Sequence, residues 1–233
     1  MIPPCDNAPV IAIDGPSGVG KGAVSAALAD ALGWHLLDSG AVYRAVALAA
    51  DDRGVGPDDP AQLVALAADL DLDFRAQGGG ICVLIDGVSV DDRLRGEAVS
   101  QMASKVAAIA EVRQALMALQ RSFRQPPGLI ADGRDMGTVV FPDAKLKIFL
   151  TASPEERANR RHKQLKEKGE DVILARLLSD IAERDRRDRE RSVSPTIPAD
   201  DAIVMDSTSM PLEAVIEQAL SLVDAKVLRQ DSE

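Results

Sequence analysis

The stretch Gly15-Pro16-Ser17-Gly18-Val19-Gly20-Lys21 places three glycines and a lysine within one short segment. It matches the G-x-x-x-x-G-K part of a phosphate-binding loop. Glycines let the backbone wrap closely around phosphate oxygens, with successive N–H groups turned inward. A helix starting at the lysine would add its free N-terminal amides and its dipole. Lys21 can bridge the β- and γ-phosphates of a nucleoside triphosphate and follow negative charge as it moves. The glycines alone would fit a plain strand-to-helix turn, but that reading leaves the lysine unexplained. The motif is incomplete after the lysine, because Gly22 and Ala23 carry no hydroxyl. A magnesium ion arriving with ATP is therefore expected on phosphates and waters rather than on the loop.

Other residues suited to anion chemistry fall after apolar runs. Asp132-Gly133-Arg134-Asp135 follows Leu129-Ile130-Ala131, and Arg44 follows Tyr43, the only tyrosine. Planar guanidiniums bind phosphate bidentately. Asp132 stands where a carboxylate could organise magnesium through water. Between Glu155 and Arg191 lie twelve Lys or Arg and ten Asp or Glu, a net of +2 in a chain of net charge −10. An anionic substrate meeting an acidic protein needs such a local basic zone. Arg157, Arg160 and Arg161 recur at helical spacing, and Arg184, Asp188 and Arg191 share one face at i, i+4 and i+7. A solvated, salt-bridged helix would explain part of this run. No Ser–His or Cys–His pair is needed, and His35 and His162 are expected to be structural.

These groups need elements to hold them. Val10–Ile13, Trp34–Leu37, Leu129–Ala131, Leu146–Leu150 and Ala202–Met205 read as short buried strands. Helical patterns run over 24–32, 40–50, 60–70, 93–124 and 212–223. Ser153 is placed to cap a helix with Pro154 in its first turn, and that helix would carry the basic cluster. Strands alternating with helices predict an α/β fold, a five-stranded parallel sheet flanked by helices. Ligands of such folds sit beyond the C-terminal strand ends. From Asp71 the pattern changes: Leu72–Phe74, Ile81–Ile85 and Gly87–Val90, with glycine turns at 78–80, predict a small inserted antiparallel sheet. Lys168-Gly169 could act as a hinge, and the tail from Arg229 is expected to fray.

Composition narrows the function. Apolar residues at 46% and charged residues at 27% suit a soluble globular chain, and 3% aromatics require an aliphatic core. Cys5 and Cys82 cannot build a disulfide framework or a four-ligand zinc site, as expected in a reducing cytoplasm. No leader is expected, since Val10–Ile13 stops at Asp14 with no basic stretch before it. The acidic balance argues against nucleic-acid binding, and no apolar run is long enough for the membrane.

Four strings together are specific: residues 14–22, 37–44, Ala131 to Thr138, and Arg184 to Arg191. They resemble the bacterial cytidylate kinases, a family of P-loop nucleoside monophosphate kinases, and follow the family order from residue 14 to about 208. Ala23 departs from the pattern, where threonine is usual. The resemblance implies transfer of a γ-phosphoryl from ATP, with Mg²⁺, to CMP or dCMP by a cytoplasmic monomer. It divides the single kinase domain (1–233) into a core (8–69, 106–153 and 192–227), an acceptor-binding module (70–105) and a helical lid (154–191). It implies ATP contacts from residues 15–23 (Gly15, Pro16, Ser17, Gly18, Val19, Gly20, Lys21, Gly22, Ala23) and Arg160. Arg44, Arg134 and Arg191 fall to the acceptor phosphate, beside Ser39 and Tyr43. Asp135 falls to the cytosine amino group, Ser104 and Arg113 to its remaining polar edge, and Arg184 and Asp188 to the sugar. Lys21, Arg134, Arg157, Arg161 and Arg191 are the catalytic set. Without the resemblance, Ser104 and Arg113 look like ordinary surface residues. A kinase of UMP, AMP or shikimate, or a nucleotide-dependent switch protein, are the competing readings.

Overall fold

The computed structural model describes residues 8–77, 80–94, 96–167 and 169–228. Cys5, the Gly78-Gly79 turn, Lys168 and the tail from Arg229 lie outside the described residues.

The apolar runs pair as a five-stranded sheet. Its strands are β1 (Val10–Asp14), β2 (His35–Asp38), β6 (Leu129–Asp132), β7 (Leu146–Thr151) and β8 (Ile203–Asp206). They are parallel throughout and lie in the order β2-β6-β1-β7-β8. A parallel sheet needs cover on both faces, so its strands carry little polar alternation; β1 is buried at every position. Alternate β1 residues serve opposite cores. Ile11 and Ile13 join Ile130 and Ile148 in packing with α1 (Lys21–Leu32) and α9 (Leu212–Val223). Val10 and Ala12 join Leu37, Leu129 and Ala131 on the other face. There they meet α2 (Ser39–Asp52), α3 (Pro60–Ala68) and α6 (Ala110–Ser122). Both cores are largely aliphatic, as the scarcity of aromatics requires.

The strand order reverses around β1, whose neighbours β6 and β7 come far later in the chain. Ligands of open α/β sheets bind at such a switch point. The C-terminal ends of β1, β2 and β6 are each an aspartate: Asp14, Asp38 and Asp132. Polar chemistry thus begins at the edge of the apolar layer.

The expected inserted sheet is present. Strands β3 (Leu72–Gln77), β4 (Gly80–Ile85) and β5 (Val88–Ser89) are antiparallel. Leu72, Phe74 and Val83 bury into the main core, and the Phe74 ring lies 5.2 Å from that of Phe123. This sheet rests against α1 and β2. From the insertion, α5 (Glu97–Val106) packs on α2 and reaches the site.

The helical pattern over 93–124 resolves into α4 (Asp91–Leu94), α5 and α6. The basic segment is likewise two helices, α7 (Pro154–Glu167) and α8 (Leu174–Glu190), rather than one. Gly169 takes a left-handed φ of 80° between them, a conformation that favours glycine. The Ser153 hydroxyl accepts the Glu156 N–H at 3.2 Å, capping α7 as its position suggests. Among the described residues no helix is long and apolar enough to cross a membrane.

Candidate active site

The glycine-rich loop leaves β1 tightly. Gly15 has φ 142°, and a Cβ there would stand 2.0 Å from the Leu150 carbonyl oxygen. Only glycine allows the loop to press against β7 in this way. Gly18 and Gly20 also hold positive φ, at 79° and 98°. Lys21 opens α1 and is buried. Its ammonium donates to the Pro16 carbonyl at 3.0 Å and lies 3.7 Å from an Asp132 oxygen. Burial pulls Lys21 down to about 8, helped by Arg134 and opposed by Asp132, Asp38 and Asp14. Burial likewise raises Asp132 to about 6, with Lys21 as the chief opposing charge.

A magnesium ion arriving with ATP would meet few side-chain donors here. Among the described residues no group of three or more His, Cys, Asp or Glu is arranged to hold a metal. Asp14 is committed to two amides and Asp38 to Arg44. Asp132 is the least committed of the three, and one of its oxygens lies 3.8 Å from where a Gly22 Cβ would stand. A hard cation held mainly by phosphate oxygens and water, with Asp132 reaching it through a water, suits this donor set.

Next to the loop lies a narrow polar cavity of about 40 Å³. Helix α2 contributes Ser39 and Tyr43, α5 contributes Ser104, and α6 contributes Arg113. Arg134 and Asp135 come from the loop after β6, Arg184 and Asp188 from α8, and Arg191 from the residue that follows it. Helix α8 ends at Glu190, and Arg191 has extended backbone (φ −60°, ψ 139°). The shared helical face therefore stops at Asp188, yet the cavity still collects all three. Ser104 and Arg113, surface residues to the eye, are buried at 6% and 4% exposure. The Arg113 guanidinium pairs with Asp135, donates to the Ala107 carbonyl at 3.1 Å and lies 5.4 Å from the Tyr43 ring centroid. Ser104 donates to Asp188 at 3.3 Å and accepts from Arg187 at 3.1 Å. Arg134 donates to Asp188 at 3.3 Å. Burial works to raise Asp188, but Arg134, Arg184 and Arg191 outweigh it and hold the carboxyl below its usual range. One Arg191 nitrogen, Nη2, is buried with no hydrogen-bond partner among the described residues.

Arg44 faces a second, wider cavity of about 320 Å³, between the phosphate loop and the two basic helices. It pairs with Asp38 at 2.8 Å, and Asp38 also caps α2 by accepting the Ala41 N–H. Ser17, Gly18, Arg157, Arg160 and Arg161 line the same cavity, and Arg184 lines both. Arg157 is 2% exposed. It donates to the Ala152 and Ser17 carbonyls and pairs with both oxygens of Asp185 on α8. Arg160 binds Glu156 at 2.8 Å and the Ser207 carbonyl at 2.6 Å. Arg157 and Arg160 thus tie α7 to the phosphate loop region and to the segment after β8.

Several partners carry no sequence mark. Gln120 accepts the Ser39 hydroxyl at 2.7 Å. Asp185 holds Arg157, and Arg187 holds Ser104. Asp14 accepts the Met136 and Gly137 amides at 2.8 Å each. That clamps the π-helical turn Met136–Val140 to the end of β1, one residue past Asp135. Only Asp38 had a visible signal, an N-cap residue type between a strand and a helix.

The cytidylate kinase family model matches residues 11–225. A cytidylate kinase of Yersinia enterocolitica is 58% identical over 215 residues, 92% of this chain and 94% of that protein. One from Klebsiella pneumoniae is 57% identical, covering 95% of this chain and 97% of its own. A third, from Photobacterium profundum, is 56% identical over 97% of this chain and 99% of its own.

Proposed function

We infer that this chain, which belongs to the cytidylate kinase family, transfers the γ-phosphoryl of ATP to CMP or dCMP. A phosphate oxygen of the acceptor bonds to the γ-phosphorus while the bond to the β–γ bridging oxygen breaks, giving CDP or dCDP and ADP. The acceptor phosphate has a second pKa of about 6, so it is largely ionised at neutral pH and needs no strong general base. Catalysis rests on positioning and on neutralising charge.

One observation carries the reading: a buried carboxylate, Asp135, lies in a cavity that shares Arg184 with the arginine-lined cavity at the phosphate loop. A carboxylate accepts the cytosine amino group, which uracil lacks. We assign Arg134 and Arg191 of the narrow cavity and Arg44 of the wider one to the acceptor phosphate. The open nitrogen of Arg191 supports that assignment. Asp188 and Arg184 suit the sugar, and Ser104 and Arg113 the rest of the base edge. Residues 15–23 and Arg160 would take ATP. Lys21, Arg157 and Arg161 would stabilise the moving phosphoryl. Mg²⁺ supplies further charge neutralisation when bound with ATP. We assign residues 70–105 to the acceptor module and 154–191 to the lid of a cytoplasmic, monomeric enzyme. The spread of Ser104 and Arg184 over those two segments supports the division.

The test is ADP formation from ATP and Mg²⁺ with CMP, dCMP, UMP or AMP offered separately, alongside Asp135→Ala. Turnover with CMP and dCMP that collapses in the variant is expected. Preference for UMP or AMP would leave the fold and overturn the substrate. ATP binding without turnover on any acceptor would point to a nucleotide switch.

A further inference from the structure

The loop that carries Arg134 and Asp135 is held by the last two residues of β1. The Gly133 N–H donates to the Ile13 carbonyl at 3.0 Å. Asp14 takes the other side: its Oδ1 accepts the Met136 N–H and its Oδ2 the Gly137 N–H, each at 2.8 Å. Amides facing a carboxylate make charge-assisted bonds, stronger than those to a neutral acceptor. Gly137 permits the approach, since a Cβ there would stand 3.0 Å from Lys147 Cδ and 3.4 Å from Asp14 Oδ2. The peptide joining Asp135 to Met136 is thereby fixed at both ends. Its N–H goes to Asp14, and its carbonyl accepts the Val139 and Val140 N–H groups at 2.9 and 3.2 Å. Asp135 has φ −144° and ψ 23°, outside the helical and strand ranges. These bonds, rather than a regular element, therefore set its backbone.

In the free protein the Asp135 carboxylate pairs with Arg113, and an amino-bearing base would compete for it. Once that pair separates, the direction of the carboxylate depends on the backbone beneath it. We propose that Asp14 is a specificity-determining positioning residue: by holding the Met136 and Gly137 amides it sets the backbone at Asp135 and aims that carboxylate at the amino group of the base. This rests on the reading that Asp135 takes the cytosine amino group, which uracil replaces with a carbonyl. Asp14 is buried at the strand end, so it acts through Asp135 rather than by touching the base. Because β1 runs straight into Gly15, one strand end sets both the phosphate loop and the loop that reads the base.

The experiment is a double-mutant cycle read as the ratio of kcat/KM for CMP to that for UMP. Wild type, Asp14→Asn, Asp135→Ala and the double variant are compared, with KM for ATP measured in each. Assays run at about pH 8, above the value of about 7 to which burial raises Asp14, so that both its oxygens accept. Asparagine keeps the shape but turns an NH₂ group toward one of the two amides. Losing one hydrogen bond to a charged group should lower the ratio by about tenfold, with KM for ATP close to wild type. Asp14→Ala, which loses both bonds, should lower it further; should that variant fail to fold, the near-isosteric asparagine decides alone. In the Asp135→Ala background the Asp14 effect should vanish. The proposal is overturned if Asp14→Asn lowers CMP and UMP turnover in parallel, or if its effect survives without Asp135. A wild-type ratio in Asp14→Asn beside a collapsed one in Asp135→Ala would sink the role of Asp14 alone. If Asp135→Ala itself leaves the ratio unchanged, the base-reading role of Asp135 falls, and the proposal with it.

Discussion

Removing Asp185 should measurably loosen the packing of α7 against α8. In the free protein this carboxylate takes two hydrogen bonds from Arg157, and the two side chains are 12% and 2% exposed. Breaking one side of a buried pair costs about 3–5 kcal/mol, since a charge is left without its partner. Arg157 keeps two carbonyl acceptors, Ala152 and Ser17. They place Asp185→Ala near the lower end, at about 3 kcal/mol. For a domain of this size each kcal/mol moves Tm by about 2–4 °C, so a fall of about 6–12 °C is expected. Calorimetric melts of both proteins, with and without ATP and Mg²⁺, provide the assay. Triphosphate oxygens offer the freed guanidinium a new partner, so ATP should raise Tm more in the variant than in wild type. Asp185→Asn, which keeps one acceptor, should fall in between. A variant that melts within about 2 °C of wild type would refute the reasoning. The Arg157–Asp185 pair would then be replaceable by solvent, and α7 and α8 would be joined by something else.

Lys21 is held at about 8 by burial, and phosphate should restore its charge. ATP binding at about pH 9 should therefore take up a proton, detected by calorimetry in buffers of different ionisation enthalpy and absent in Lys21→Met. Asp14 is raised from 3.8 to about 7, mainly by burial and against the pull of its two amides. Its folded-state pKa exceeds the unfolded one, so this contribution is complete below about 4 and is lost as pH rises through 7. Urea midpoints measured across that window should fall with pH less steeply in Asp14→Asn than in wild type. Gly15→Ala would drive a Cβ into the Leu150 carbonyl at a strained φ. It should cost at least about 3 kcal/mol and abolish ATP binding, checked by denaturation and calorimetric titration.

The sheet was legible because buried parallel strands are short, apolar and bounded by turn residues, and the phosphate loop because its glycines and lysine sit in a fixed frame. Arg134 and Asp135 could be chosen because charge directly after a buried strand is conspicuous. Ser104 and Arg113 could not. Their burial comes from α5 and α6 closing over α2, and helical spacing does not encode that contact. Asp185 is one acid among ten in the basic segment, and only the packing of α7 against α8 singles it out. The break between those helices was marked by Gly169, but the density of charge made the segment look continuous. Arg191 shows the same limit: its i+7 spacing predicted a helix face, while the helix ends one residue earlier and the side chain still reaches the cavity.

The narrow cavity has a consequence for ligand design. Its polar groups are already matched to one another: Arg113 with Asp135, Arg134 and Ser104 with Asp188. A visitor enters by exchanging partners, so its affinity depends on what it returns to each residue it separates. Cytidine, lacking the phosphate, returns nothing to Arg134 and should be a poor inhibitor despite carrying the correct base. A phosphonate on an amino-pyrimidine scaffold would return both charge and donor, and the unmatched nitrogen of Arg191 is where such a compound could gain a contact without first breaking one.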